Sequence, residues 1–414
     1  MNVDRLRFID LYIGLPLCYL GSLLRRLTAI FRSHQPPPPV KRILFMGLSE
    51  MGGILLATPA MKKARDHFQG ELYFLTLLHN RSSLELIPMI APERIFTIRQ
   101  GHPVHFLVDI VRFIFWCRKN QIDTVVDLEL FVRFSALLSW LSGACRRVGF
   151  HGFFTEGLYI GDFLTHMVAY NPHLHIAGNY LALSLALTRP TPEHPYVKVQ
   201  IDPAELTIGQ HLPSQKEIAS VEETVRARHP DFDPSHQVIV LINPEASGLL
   251  PQRRWPRDYF ETLIQQLLKE GEEILILLTG GPEEISAHES LCQKINHPRC
   301  INFAGALKLG QMPTLYHQSA FMVTNDSGPN HFAAVSRMPT IALYGPETPK
   351  LYGSLGRTTS LYAGLACSPC VSAANHRKTP CNDPVCLKLL TPKMVLSHAK
   401  ELLQEARSLG GQRP

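Results

Sequence analysis

Short apolar runs alternate with amphipathic stretches along most of the chain after residue 40. In the first half the apolar runs predict five strands, at Ile43–Met46, Glu71–Leu78, Arg94–Ile98, Thr124–Leu130 and Arg147–Phe150. Helices are predicted between them, as at Ile54–Phe68 and Val104–Asn120. Strands and helices that alternate at this spacing form βαβ units around a parallel sheet.

The same alternation restarts near residue 237, after a connector rich in Pro, Glu and Gln that contains one predicted helix. The predicted strands are Gln237–Ile242, Glu273–Leu278, Phe321–Thr324 and Thr340–Tyr344, with helices at Asp258–Glu270 and Glu283–Ile295. The simplest architecture is an α/β fold of two doubly wound, Rossmann-like domains that face a cleft. Ligands bind such sheets beyond the carboxyl ends of the strands, so the loops after the strands should carry the chemistry.

The most apolar stretch lies ahead of this pattern, at Phe8–Leu24. A helix of that length would be about 25 Å long, which is short of the ~30 Å of a bilayer core. Basic residues flank it, namely Arg5, Arg7, Arg25, Arg26 and Arg32. A short apolar helix with basic flanks suits a segment that lies in the surface of an anionic cytoplasmic leaflet. The alternatives are a helix packed on the protein's own body and a dimer contact.

Four regions follow from these patterns. Residues 1–39 form the membrane-associated segment and end in a polyproline spacer at Pro36–Pro39. Residues 40–195 form the first Rossmann-like domain, residues 196–235 a linker, and residues 236–414 the second Rossmann-like domain.

Composition narrows the class of protein. Only 18% of the 414 residues are charged, below the ~25% of an average soluble domain, and 45% are hydrophobic, which excludes disorder for most of the chain. The formal net charge of +6 is small for this length, and nucleic acid is therefore not an expected partner. The cysteines number nine and five of them are scattered, which indicates a reducing compartment rather than a secreted disulfide scaffold.

Four loops after predicted strands are the candidates for chemistry. The Gly-rich loop 47–53 lacks the signatures of a P-loop and of a dinucleotide site, and a tight turn explains it equally well. Loop 243–248 is followed by Arg253 and Arg254, whose guanidiniums could pair with a diphosphate or form a solvated basic turn. Loops 279–284 and 324–331 each lead into a helix, whose first N–H groups favour phosphate; Asp326 could instead be a simple N-cap. Three such loops in one half favour a nucleotide-diphosphate site.

Taken in order, the motifs of these loops resemble glycosyltransferase family 9, the ADP-heptose:lipopolysaccharide heptosyltransferases and their relatives. The resemblance covers about Val40 to the C-terminus. It is carried by Ser49-Glu50-Met51-Gly52-Gly53, Thr58-Pro59-Ala60, Arg253-Arg254-Trp255-Pro256, Asp326-Ser327-Gly328-Pro329-Asn330-His331 and Tyr344-Gly345-Pro346-Glu347-Thr348. The family implies a GT-B fold, with the acceptor on the first domain and the sugar nucleotide on the second. It also implies an inverting transfer that requires no metal or other cofactor.

The resemblance assigns roles to individual residues. Arg253 falls where the family usually has a Lys that contacts the donor phosphates, Glu283 matches an acid that holds the ribose, and Asp326 matches the acid that recognises the donor sugar. The remaining matched residues line the donor loop (Ser327, Gly328, His331) and the acceptor loop (Ser49, Gly52, Gly53).

One position departs from the family pattern. The family usually has an Asp, the proposed general base, where this chain has Gly53. An inverting transfer needs a carboxylate within hydrogen-bond reach of the acceptor hydroxyl. Glu50 in the same loop is the nearest replacement, and Asp127 and Glu129 are second choices. The missing Asp also leaves open a pseudoenzyme, which would bind sugar nucleotides or serve as an assembly subunit without catalysis.

The last four cysteines are clustered, at Cys367, Cys370, Cys381 and Cys386. Four thiols at this spacing in a reducing compartment suggest a structural zinc site, with a disulfide pair or buried free thiols as alternatives.

We therefore expect a cytoplasmic glycosyltransferase, peripheral on the inner membrane. It would move a sugar, foremost heptose from ADP-heptose, onto a lipopolysaccharide-type or other lipid-linked glycan. The alternative is an enzyme of the same fold that uses a different nucleotide sugar as its donor.

Overall fold

The computed structural model describes residues 8–30, 37–153, 158–189, 197–246, 248, 250–373, 375 and 377–408. Arg5, Arg7, Arg32, Pro36 and the 190–196 part of the connector lie outside the described residues. The chain divides into two units, Met1–Thr207 and Ile208–Pro414, and each unit is built on one six-stranded sheet.

The first unit is a doubly wound α/β domain. Its strands are β1 (Arg42–Met46), β2 (Glu71–Leu77), β3 (Ile95–Ile98), β4 (Thr124–Asp127), β5 (Arg146–His151) and β6 (His166–Ala169). Its helices are α1 (Leu15–Ile30), α2 (Met51–Leu56), α3 (Thr58–Phe68), α4 (Pro103–Lys119), α5 (Arg133–Leu141) and α6 (Ile176–Leu187). The strands run parallel in the order β3-β2-β1-β4-β5-β6. The order reverses between β1 and β4, so the loops after these two strands meet at the switch point.

Residue patterning explains why this sheet is buried on both faces. Ile43–Met46 of β1 are fully buried, as expected for a central parallel strand. The helices α4 and α5 cover one face, where Phe113 and Leu138 share a core cluster with Leu44. The helices α3 and α6 pack on each other, and the Ser184 hydroxyl donates a hydrogen bond to the Ala60 carbonyl at 2.8 Å.

The second unit repeats the same topology. Its strands are β7 (Val238–Asn243), β8 (Ile274–Leu278), β9 (Cys300–Asn302), β10 (Ser319–Asn325), β11 (Thr340–Tyr344) and β12 (Thr358–Tyr362). Its helices are α7 (Gln215–Arg228), α8 (Arg257–Lys269), α9 (Ile285–Ile295), α10 (Met312–Gln318), α11 (Gly328–Phe332), α12 (Pro349–Tyr352), α13 (Val385–Lys388) and α14 (Pro392–Ser408). The parallel order β12-β11-β10-β7-β8-β9 places the switch point between β7 and β10.

The predicted strands all form, with small differences at their ends. The strand predicted to reach Leu130 stops at Asp127, which leaves Glu129 in the following loop. The single helix predicted at Ile54–Phe68 is divided at Ala57, and Pro59 lies in the first turn of the second piece, where its missing N–H has no intrahelical partner to lose.

The apolar N-terminal stretch forms a π-helical turn at Asp10–Gly14 that continues into α1. One side of it packs on the first unit, which was one of the alternatives. The Asp10 carboxylate accepts the Phe134 N–H at 2.9 Å, and Arg25 makes two 3.1 Å bonds to Asp162. Among the residues described, no helix is both long and apolar enough to cross a membrane.

Candidate functional site

The loops at the carboxyl edge of the second sheet are tied together by Asn325, the last residue of β10. Its fully buried side chain donates to the Pro244 carbonyl at 2.8 Å and accepts the Trp255 N–H at 2.9 Å. Asn243, at the end of β7, donates to the Thr279 carbonyl at 2.6 Å. The loops after β7, β8 and β10 are therefore fixed to one another. Sequence reasoning missed Asn325, although a polar residue ending a buried strand was a usable signal.

A buried cluster of charged side chains lies at this edge and consists of Arg253, Asp326, Glu347 and Arg377. Arg253 Nε lies 3.4 Å from Asp326 Oδ2, and Arg253 Nη2 lies 3.4 Å from Glu347 Oε1. Arg377 Nε lies 3.5 Å from the same Glu347 oxygen. The side chains of Arg253, Asp326 and Glu347 are only 11%, 4% and 1% exposed, so the opposite charges compensate one another away from water.

Two members of this cluster were missed in the sequence. Glu347 belongs to the Tyr344–Thr348 motif, and the signal for it is a carboxylate three residues after a predicted strand. Arg377 lies within the cysteine-rich segment, and its local sequence carries no signal that it would reach Glu347. Its guanidinium also stacks 4.5 Å from the centre of the Tyr352 ring.

Asp326 does not cap the following helix, which was the alternative reading of this residue. The N-cap of α11 is Ser327, which makes no side-chain capping bond, and the Asp326 carboxylate contacts Arg253 instead. The helix α11 has five residues, so its dipole is a smaller source of anion attraction than the sequence suggested.

The residues after Asp326 build a rigid turn. Asn330 donates a 2.8 Å hydrogen bond to the Tyr344 hydroxyl, which donates in turn to the Tyr352 carbonyl at 3.3 Å. Burial raises the pKa of Tyr344 well above its ordinary value, and the nearby Asp326 charge adds to this effect. His331, the residue after Asn330, is buried. Gly328 leaves room for the Phe332 ring, which a Cβ at Gly328 would approach to 3.0 Å.

Arg253 and Arg254 point to different partners. Arg254 donates from Nε and Nη2 to the Ala246 carbonyl at 3.1 and 2.9 Å, and it lies 3.4 Å from Glu245. Only Arg253 joins the buried cluster. Of the two guanidiniums predicted to pair with a diphosphate, Arg253 is therefore the one that lies at the candidate site.

The two acidic residues after β8, Glu283 and Glu284, likewise differ in burial. Glu283 is exposed, whereas Glu284 is half-buried and accepts the Gly281 N–H at 3.0 Å. Burial raises the pKa of Glu284 to about 7, with the charges of Glu245 and Glu283 adding to the effect. The Glu284 carboxylate, which was given no role from the sequence, is the more buried of the two. The Glu283 carboxylate also lies against the loop, where a Cβ at Gly281 would come within 2.5 Å of it, and its role at the ribose stays a prediction.

In the first unit, the loop after β1 is shaped by a buried carboxylate. Glu129 Oε1 accepts the N–H groups of Leu48 and Ser49 at 2.6 and 3.0 Å, and the Ser49 hydroxyl donates to Glu129 Oε2. On the other side of the loop, Asn80 donates to the Leu48 carbonyl at 2.9 Å. This arrangement makes Glu129 a support for the loop.

Three carboxylates gather at the first switch point, and they differ in burial. Asp127 is buried and accepts the Ser135 hydroxyl at 2.7 Å and the Glu129 N–H at 3.1 Å. Burial raises the pKa of Asp127 to about 8, and burial also raises that of Glu129, with Glu50 contributing its charge. Glu50 is half-buried at the N-cap of α2 and is the most accessible of the three.

Gly52 and Gly53 lie directly after Glu50, at the start of α2. Gly52 is buried and Gly53 is half-buried. A Cβ at Gly53 would lie 3.5 Å from the Tyr180 hydroxyl, an ordinary contact distance, so the backbone there has room for a side chain.

The four clustered cysteines are free thiols. Cys386 is buried, Cys370 and Cys381 are partly buried, and Cys367 is exposed. Among the residues that the structure describes, no three His, Cys, Asp or Glu side chains are grouped to hold a metal ion. The zinc site therefore stays a prediction from spacing alone.

Comparison with solved structures identifies the fold. The structure of Escherichia coli ADP-heptose lipopolysaccharide heptosyltransferase II matches with a TM-score of 0.65 and 21% identity, over 88% of this chain and 99% of that one. A glycosyltransferase family 9 protein from Veillonella parvula matches with a TM-score of 0.66 and 18% identity, over 90% of this chain and all of that one. These likenesses confirm the predicted GT-B fold.

Sequence comparison gives the family. Lipopolysaccharide heptosyltransferase 2 of Escherichia coli K12 is 34% identical over 162 residues, which is 37% of this chain and 45% of that protein. The chain thus matches about half the length of that relative. Lipooligosaccharide heptosyltransferase 2 of Haemophilus ducreyi is 24% identical over 74% of this chain and 84% of its own length. The sequence profile of glycosyltransferase family 9 (heptosyltransferase) matches residues 111–381, well over half of the chain. The chain therefore belongs to glycosyltransferase family 9.

Proposed function

We propose that this protein transfers a sugar from a nucleoside diphosphate to a lipopolysaccharide-type glycan, with heptose from ADP-heptose as the first donor to test. The observation that carries the proposal is the buried cluster of Arg253, Asp326 and Glu347 at the carboxyl edge of the second sheet. Support comes from relatives that are named lipopolysaccharide heptosyltransferases and from a solved neighbour named for ADP-heptose.

The donor is proposed to bind at the loops joined by Asn325. Arg253 supplies positive charge to the diphosphate, since a guanidinium forms strong, charge-assisted hydrogen bonds to phosphate oxygens. Asp326 and Glu347 hold Arg253 in place, and Asp326 is also proposed to accept hydroxyl groups of the donor sugar. A fixed cation can stabilise the leaving diphosphate, so a metal ion is not part of the proposed chemistry.

Glu50 is the proposed general base. The acceptor hydroxyl attacks the anomeric carbon and gives its proton to Glu50, while the bond to the diphosphate breaks and the diphosphate leaves with the electron pair. A single displacement of this kind inverts the anomeric centre. Glu50 is preferred to Asp127 because both Asp127 oxygens accept hydrogen bonds inside the fold, and to Glu129 because Glu129 supports the loop.

The direct test is product formation by the purified full-length chain. The chain would be mixed with ADP-heptose and a lipid-linked inner-core acceptor, and the acceptor would be weighed by mass spectrometry. We expect its mass to rise by one heptose, and we expect Asp326→Asn to abolish that gain. GDP-, UDP- and TDP-sugars tested in parallel identify the donor if ADP-heptose is not used.

A second candidate, a pseudoenzyme that binds sugar nucleotides, is favoured by one observation. Gly53 offers no carboxylate where the family usually has one. Tight binding of a sugar nucleotide without transfer to any acceptor would support this candidate and contradict the enzyme.

A further inference from the structure

The N-terminal helix exposes a long apolar face although its other face is docked. Tyr19 and Leu20 of α1 are 71% and 63% exposed, and the turn before the helix exposes further apolar side chains. Gly21 lies on the docked side, where a Cβ would come within 2.9 Å of the Phe163 ring. Docking on the first unit therefore does not account for the apolar character of this segment.

The helix α4 has the same unusual character. Leu107 and Phe115 are 62% and 70% exposed, with Val104, Val108 and Val111 on the same exposed surface. An amphipathic helix of a globular domain normally presents polar side chains to water. In α4 the buried side is also apolar, since Phe113 and Cys117 lie in the core.

The N-terminal segment and α4 both contact α5. The Phe106 ring of α4 lies 5.1 Å from the Phe134 ring of α5, and the Phe134 N–H is bonded by Asp10 at the start of the N-terminal segment. Both elements thus meet at Phe134, on the same face of the first sheet. We name the outer faces of residues 8–30 and of α4 the apolar platform.

The exposed charged residues that belong to the apolar platform itself are basic. Residues 8–30 contain a single acid, Asp10, and α4 contains a single acid, Asp109. Both acids turn inward: Asp10 binds the start of α5, and Asp109 is buried against Arg99 at 2.8 Å. Of the exposed basic residues, Arg26 pairs with Asp162 at 2.9 Å and Arg112 lies 3.6 Å from the inward Asp109, and the C-terminal end of α4 adds the exposed Arg118 and Lys119.

We infer that the apolar platform inserts into the surface of an anionic lipid bilayer, with α1 and α4, which both contact α5, in the interfacial layer. Apolar side chains bordered by Lys and Arg, with the carboxylates turned away, are complementary to acyl chains beneath negative headgroups. The sequence predicted a membrane role for the N-terminal segment only. The structure adds α4, so the attachment surface includes part of the folded first unit.

The test is flotation of the full-length chain with phosphatidylglycerol/phosphatidylethanolamine vesicles. The α4 variant Leu107→Ser/Phe115→Ser leaves α1 intact, and its matched control is Leu212→Ser/Met394→Ser, which changes exposed apolar residues of the second unit. We expect the α4 variant to partition at least about tenfold less than the wild type and the control to partition equally, because two large apolar side chains are lost from the buried surface. We also expect Arg112→Gln/Lys119→Gln to lose vesicle binding, because two positive charges near the anionic headgroups are removed. Low salt should restore binding, since the attraction of the remaining basic residues is then screened less.

Equal vesicle binding by the α4 variant and the wild type would overturn the inference. So would a wild-type dimer in sedimentation velocity that the α4 variant converts to a monomer, with no binding to vesicles by either, because the platform would then be a contact between two copies. The charge variant keeps the test decisive if the α4 variant does not fold. None of these measurements uses sugar transfer, so their outcome is independent of the proposed function.

Discussion

Replacing Arg253 by Met tests the buried charged cluster at the proposed donor site. The substitution removes the guanidinium and keeps most of the apolar stem. Removing one partner of a buried ion pair typically costs ~3–5 kcal/mol, because the remaining charge stays buried without compensation. Arg377 remains 3.5 Å from Glu347, so the loss falls mainly on Asp326. We therefore expect the free energy of unfolding to fall by about 3 kcal/mol, the low end of that range.

Arg254→Met is the matched control for this substitution. Arg254 is the adjacent residue of the same type, but its side chain is 43% exposed and its partner Glu245 lies 3.4 Å away near the surface. Exposed pairs contribute ~0–1 kcal/mol and the hydrogen bonds to the Ala246 carbonyl about 1 kcal/mol, so the control should lose less than about 2 kcal/mol.

Urea unfolding followed by tryptophan fluorescence measures both variants, since Trp255 is buried next to Arg253 and Arg254. Calorimetric titration with ADP measures the donor site. Loss of a charge-assisted contact costs ~1.5–3 kcal/mol, so Arg253→Met should bind ADP at least about tenfold more weakly, with Arg254→Met unchanged. Equal stability and equal ADP affinity in the two variants would refute the assignment of Arg253 to a buried donor site.

Three further predictions concern the first unit. The pKa of Asp127 is about 8 in the folded protein against about 4 in the unfolded chain, so the stability that this proton provides is complete below about pH 4 and is lost as the pH rises through about 8. Asp127→Asn, which stays neutral, should raise the melting temperature at alkaline pH and leave it nearly unchanged at acid pH, as scanning calorimetry would show. Glu129→Ala removes the acceptor of two loop N–H groups, and steady-state kinetics should show a higher acceptor KM with an unchanged donor affinity. Gly53→Asp in a Glu50→Gln background should restore part of the turnover in a transfer assay, because the backbone at Gly53 has room for a side chain.

The central strands could be predicted because they are buried on both faces and are apolar along their whole length. The strands missed by the sequence pattern are β6, β9 and β12, and each lies at an edge of its sheet. These three edge strands are partly exposed, as Thr358–Tyr362 shows with two exposed and three half-buried residues, so no continuous apolar run marks them. Their position depends on pairing with distant strands rather than on local sequence.

In the candidate site, too, some features follow from local sequence and others from contacts with residues far away in the chain. The loops that carry Glu50, Arg253 and Asp326 could be found from the sequence, because they directly follow or adjoin predicted strands. The sequence does not predict which of two adjacent residues of the same type is the more buried. The pairs Arg253 with Arg254 and Glu283 with Glu284 show this. That choice depends on side chains remote in sequence, such as Glu347, which lies 94 residues after Arg253 and contacts it.

The decisive measurement for the proposed base is the rate of sugar transfer by Glu50→Gln at saturating donor, taken together with the donor dissociation constant. Glu85→Gln, an exposed Glu of the same unit, is the control. General-base assistance contributes ~10²–10⁴-fold to rate, so Glu50→Gln should lower turnover at least about 100-fold while donor binding stays at the wild-type level. Turnover equal to that of the wild type and of the control would contradict the assignment of Glu50 as the base of a glycosyltransferase.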